Sequence, residues 1–148
     1  MLLPFLALLI SSCTNYGKKM EFGAGEVYYT DAVTEDMAKN LGDYLVKTGY
    51  FNDDPKSVKI DKDGEKGYTL NLVVKEEVID DPQYAELVKM FSWQISEELL
   101  HGEPITMVLT DETFTPKKTF PFEPMPQPEM PAPTGSGDSL ALDSVVVE

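Results

Sequence analysis

Few residues in this sequence are of a type that carries chemistry, and their spacing decides what they can do. Asp61, Asp63 and Glu65 form a short acidic run around Gly64. A calcium loop of the EF-hand kind needs ligands at fixed places across twelve residues, with glycine sixth and glutamate twelfth. Here the glycine comes too early, and an exposed acidic hairpin accounts for the run. Asp80 and Asp81 precede Pro82, where Asp81 serves as a helix cap. Glu97 and Glu98 are adjacent on a predicted helix and point in different directions, so acid–base work would need a group brought from elsewhere. His101 is the only histidine and Cys13 the only cysteine. A lone histidine anchors neither a zinc site nor a nucleophilic triad, and its place at a helix end fits an interaction with the helix dipole. No catalytic set and no metal site emerge, no cofactor is implied, and the expectation is a non-enzymatic protein.

Composition narrows the partners. The chain has 148 residues, enough for one domain with a modest core plus tails. Asp and Glu number 26 against 12 basic residues, for a net charge of -14, and every basic residue is lysine. Without arginine's planar fork and against so negative a field, nucleic acid is excluded as a partner. A single cysteine allows no intrachain disulfide.

Periodicity supplies the scaffold on which these residues sit. Val27-Tyr28-Tyr29 is β-branched and aromatic, a short strand. Thr34 is placed as an N-cap, with Glu35 and Asp36 complementing the dipole. Met37, Leu41, Tyr44, Leu45 and Thr48 then recur at helical spacing until Gly49 ends the helix. Val58 and Ile60 alternate with polar residues, and Tyr68, Leu70, Leu72 and Val74 share the face of a second strand, so the pair reads as a hairpin. A second helix opens at Asp81-Pro82 and buries Tyr84, Leu87, Val88, Phe91, Ile95 and Leu99, closing at His101-Gly102. Ile105, Met107 and Leu109 alternate in a final strand, and Thr113-Phe114-Thr115 either extends the sheet or crosses its edge. From Pro116 onward, prolines at high density favour polyproline II or disorder. Val145-Val146-Val147 is a weak candidate for a sheet-edge addition. The order βαββαβ predicts an α+β two-layer sandwich with a four-stranded antiparallel sheet and two helices on one face, in the ferredoxin-like arrangement.

The N-terminus fixes the expected address. Leu2 to Ile10 is an apolar run too short for a span of about 20 residues, with the length of a secretory signal's core. Its ending, Ile10-Ser11-Ser12-Cys13, resembles a bacterial lipobox. The resemblance implies cleavage after residue 12, lipidation of Cys13 and a membrane-anchored lipoprotein of the bacterial cell envelope, facing the periplasm. Two acyl chains hold stably where one holds weakly, at roughly 0.8 kcal/mol per buried CH₂. The expected organisation is a signal peptide at 1–12, a tether at 13–25, an α+β domain at 26–115 and a proline-rich, largely disordered tail at 116–148. Within the domain, Val27-Tyr28-Tyr29, the helix from Ala38 to Gly49 and the strand Gly67-Tyr68-Thr69-Leu70 are similar in layout to the sporulation-related repeat. That resemblance implies a peptidoglycan-binding module. Thr48-Gly49-Tyr50-Phe51, Asp63-Gly64 and Leu70-Asn71-Leu72-Val73-Val74 resemble the later half of a polypeptide-transport-associated domain, which implies edge pairing with a strand. The expected partners are the membrane, through Cys13, and an envelope protein or peptidoglycan.

One residue stands out on the second helix. With Phe91 on the buried side, Trp93 lies about 200° around the helix, on the side of Glu86, Lys89 and Glu97, with Leu100 nearby. A large apolar residue on a charged face marks a partner surface. Coverage of Trp93 by the C-terminal tail, through Phe120 or Phe122, is the competing explanation.

Overall fold

The computed structural model describes residues 16–125. The expected signal segment, Cys13 and Val145-Val146-Val147 lie outside the described residues. Three hairpins joined by two helices make up the domain: β1 (Lys18–Phe22) and β2 (Gly25–Tyr29), α1 (Glu35–Lys47), β3 (Lys56–Asp63) and β4 (Gly67–Val73), α2 (Pro82–Leu99), then β5 (Ile105–Thr110) and β6 (Pro116–Phe120). The strands lie side by side in chain order, 1-2-3-4-5-6. The hairpin pairs β1–β2, β3–β4 and β5–β6 are antiparallel, and β2–β3 and β4–β5 are parallel.

This corrects the four-stranded, antiparallel, ferredoxin-like expectation, although the α+β class stands. In a ferredoxin-like sheet each helical crossover skips a strand. Here α1 and α2 each join adjacent parallel strands, which is the ordinary use of a crossover helix. Periodicity fixes which residues form an element and is silent on which element lies beside it. The two additional strands come from segments expected as tether and tail. In β1, Met20 and Phe22 turn to the core while Lys19 and Glu21 turn away. In β6, Pro116 occupies the first position of an edge strand, where proline's missing N–H costs the ladder little, and Phe120 is buried.

The core is one layer between the sheet and both helices. Two rows cross the sheet: Met20, Val27, Val58, Leu72 and Leu109, and next to it Tyr29, Ile60, Leu70, Met107 and Phe120. Leu41 and Leu45 of α1 and Val88 and Ile95 of α2 close over them. The helices meet through Tyr44 and Phe91, whose rings stack with centroids 6.2 Å apart.

Both predicted helix starts are present. The Thr34 side chain accepts from the Met37 N–H at 3.2 Å, and Asp81 accepts from the Gln83 N–H at 2.9 Å with Pro82 in the first turn. Gly49, at φ +80°, follows the α1 cap. The buried stripe of α2 differs from expectation. Val88, Ser92, Ile95 and Ser96 are buried, whereas Leu87 is 55% exposed and Tyr84 and Phe91 are half-buried. The helix is turned so that two serines face inward. Their hydroxyls are satisfied locally, Ser92 donating to the Lys89 carbonyl and Ser96 to the Glu103 carbonyl, each at 2.7 Å, so burial leaves no polar group unpaired.

Candidate functional site

Turning the serines inward forces Leu87 and Met90 outward. Met90 is 47% exposed, and Trp93, one turn further on, is half-buried. These three side chains floor a groove of about 760 Å³ whose rim carries Gln83, Glu86 and Lys89. Its opposite side is the chain after β6: Glu123, Pro124 and Met125. A hollow of about 370 Å³ adjoins it, lined by Leu87 and Met90 again and by Tyr50, Tyr84 and Phe91. Tyr50 stacks on Phe91 at 5.8 Å, and burial pushes the phenols of Tyr50 and Tyr84 upward, so both rings stay neutral. The surface is apolar and aromatic, with one ion pair at its edge, Lys89 to Glu86 at 3.7 Å.

Each expected site residue among the described residues has a definite place. Trp93, Glu86 and Lys89 come together at the groove, while Glu97 lies exposed further along the helix. Leu100 does not belong to this surface. It is 1% exposed and lies in the core, because the chain leaves the helix at residue 100 and turns inward. The tail meets the groove through Pro124 and Met125 rather than through Phe120, which is a core residue, or Phe122, which packs against the core. Lipidation at Cys13 lies outside the described residues.

The acidic residues are engaged separately. Asp61 accepts from the Thr30 hydroxyl and from the Lys62 N–H, and Asp63 pairs with Lys66. Asp80 pairs with Lys118 at 3.6 Å, and His101 is exposed at φ +55°. Among the described residues no three acidic, histidine or cysteine side chains gather to hold a metal ion. No described helix is long and apolar enough to cross a membrane.

On the sheet face away from the helices, periodicity missed a second assembly. Tyr16, Tyr28 and Phe114 pack edge to face, with centroids 4.9 to 5.7 Å apart. Thr113-Phe114-Thr115 neither extends the sheet nor continues as a strand; it is a loop with Phe114 at φ +58°. Asp111 ties it down, accepting from the Thr113 hydroxyl at 2.7 Å and from the N–H groups of Thr113 and Thr115. The Thr113 hydroxyl and the Thr115 N–H are the main reasons its carboxyl falls from 3.8 to about 2. The Asp-x-Thr-x-Thr spacing was the available signal. Beside this cluster, burial raises the Glu26 carboxyl, but bonds from Lys19, Tyr28 and Ser57 outweigh it and hold the carboxyl below its ordinary value.

A six-stranded mixed sheet with both helices on one face and an apolar groove on the second helix defines a small α+β domain. The chain belongs to the family of the AF_1994_N domain, described as a family N-terminal domain, which matches residues 19–120. No curated protein and no solved structure matches the chain.

Proposed function

We propose that this protein is a lipid-anchored component of the cell envelope whose domain is a non-enzymatic docking module, with the α2 groove as its partner surface. The observation that carries the docking reading is the apolar row Leu87, Met90 and Trp93 on the outer side of α2. Leu87 and Met90 are about half exposed beside Trp93, and exposed apolar residues clustered on a charged surface are the usual mark of an interface. Trp93 has the character of an anchor residue, partly sunk in a groove with a charged rim.

The start of β1 bears on the anchor. A lipidated Cys13 stands five positions before Lys18, a reach of at most about 18 Å at ~3.3–3.6 Å per residue. The domain would therefore be held close to the membrane by its β1 edge. Helix α2 packs on β5, four strand spacings away, or about 19 Å at ~4.8 Å each, so the groove would face away from the anchored edge. The peptidoglycan alternative drew on the βαββαβ order, which β2 to β5 keep, with the strands lying side by side in chain order; a pulldown with purified murein sacculi tests it directly.

The docking reading is tested by a photo-cross-linking residue placed at Met90 in the membrane-anchored protein. A discrete heavier adduct that Trp93→Ala removes supports it. An adduct that persists unchanged in Trp93→Ala counts against the groove.

A further inference from the structure

Resting on that docking reading, we propose that the α2 groove is occupied in the resting protein by this chain's own residues 126–133, laid along Trp93, Met90 and Leu87, which a partner must displace. The chain leaves β6, packs Phe122 against the core and reaches Met125, which is 47% exposed and already forms a side of the groove opposite Trp93. The next eight residues are Pro126-Gln127-Pro128-Glu129-Met130-Pro131-Ala132-Pro133. Four prolines among them favour polyproline II, and aromatic-lined grooves accept such segments because little entropy is lost on binding. The lengths agree. Eight residues extend about 25 Å at ~3.1 Å each, while the groove from Gln83 to Trp93 runs about 15 Å of helix at ~1.5 Å per residue.

Chemistry points the same way. The groove and the adjoining hollow share Leu87 and Met90 and offer Trp93, Tyr84 and Phe91 to an apolar occupant. The segment brings Met130, a side chain suited to irregular apolar gaps, and only one charge, Glu129, to a groove whose one lysine, Lys89, already pairs with Glu86. A second copy of this chain is a poorer occupant, since each copy carries a net charge of -14 and two acidic surfaces would have to meet. Occupation in cis makes docking conditional, because the partner competes with a segment tethered directly beside its site.

Nitrogen-15 relaxation on the full chain, kept free of lipid by Cys13→Ser, tests this. The amides of Gln127, Glu129, Met130 and Ala132 are expected to show order parameters near those of rigid backbone, about 0.85. In Met90→Ser and in Trp93→Ala they should fall below about 0.6, a flexible value, with the amide shifts of β3 and β4 unchanged. Met90 is half exposed, so Met90→Ser keeps the test valid if Trp93→Ala disturbs the fold. Order parameters below about 0.6 in the unmutated groove overturn the proposal, as does a rigid segment indifferent to both substitutions. Dimer-sized tumbling that disappears on dilution would seat a second copy there instead. A free tail leaves the docking reading standing, because the cross-link from Met90 tests that separately. A rigid tail with no adduct would leave the groove as the tail's structural seat alone.

Discussion

Leu87 and Val88 are sequence neighbours on α2, yet one is 55% exposed and the other buried. That difference assigns opposite consequences to similar substitutions. Leu100→Ala removes a side chain 1% exposed in the core and should cost about 2–5 kcal/mol, the range for buried leucine truncations. Leu87→Ala should cost under about 1 kcal/mol, since surface changes usually do little. Chemical denaturation of the two variants checks the pair, and a reversed order would contradict a core Leu100 and an outward Leu87. Asp111 gives a second residue-scale expectation. Its folded pKa, about 2, lies below its ordinary 3.8. The stabilisation is therefore complete above the ordinary value and is lost as pH falls through about 2. Release of the Phe114 ring from Tyr16 and Tyr28 should accompany that loss, and Asp111→Ala should produce the same release at neutral pH. The ring resonances of Phe114 report both, and identical spectra for wild type and Asp111→Ala at pH 7 would contradict the tie.

At the level of elements, most of the scaffold was legible because the signals were local. Thr34, Gly49 and the Asp81-Pro82 pair marked the helix ends, and strict alternation marked β3, β4 and β5. What escaped depended on contacts between elements. The stripe of α2 was misplaced by about one residue because Ser92 and Ser96 look polar until their hydroxyls are seen bonded to nearby carbonyls. Strand β1 was hidden in a lysine-rich stretch, although Met20 and Phe22 alternate correctly. Its seat depends on Gly42 of α1: a Cβ there would stand 2.0 Å from the Phe22 ring. Gly42→Ala gains up to about 1 kcal/mol of helix preference. It must also push Phe22 off the helix, and overpacking costs about 1–3 kcal/mol. The net expectation is loss of stability together with loss of hydrogen-exchange protection in β1. A variant as stable as the parent, with β1 still protected, would show that the close approach does not hold the edge.

Across the whole molecule, neither the sheet order nor the groove could be read in advance. The βαββαβ string admits several strand orders, and only the parallel pairing of β2 with β3 and of β4 with β5 selects this one. Trp93 was legible as an outward residue. Its groove was not, because one side is built by Pro124 and Met125, far away in sequence. If Cys13 carries lipid, the protein should partition into a detergent phase and Cys13→Ala should release it or leave the signal uncleaved; equal partition of the mutant would rule out the anchor. Docking, if it takes place on the apolar face of α2, should leave the opposite sheet face untouched. Photo-cross-linking in the membrane-anchored protein separates the two faces, with the probe placed at Met90 in the groove and, in a second sample, at Lys59 on the far face. A discrete adduct is expected from Met90, lost in Trp93→Ala, with none from Lys59. An adduct from Lys59 alone, or none from Met90, would contradict docking at the groove.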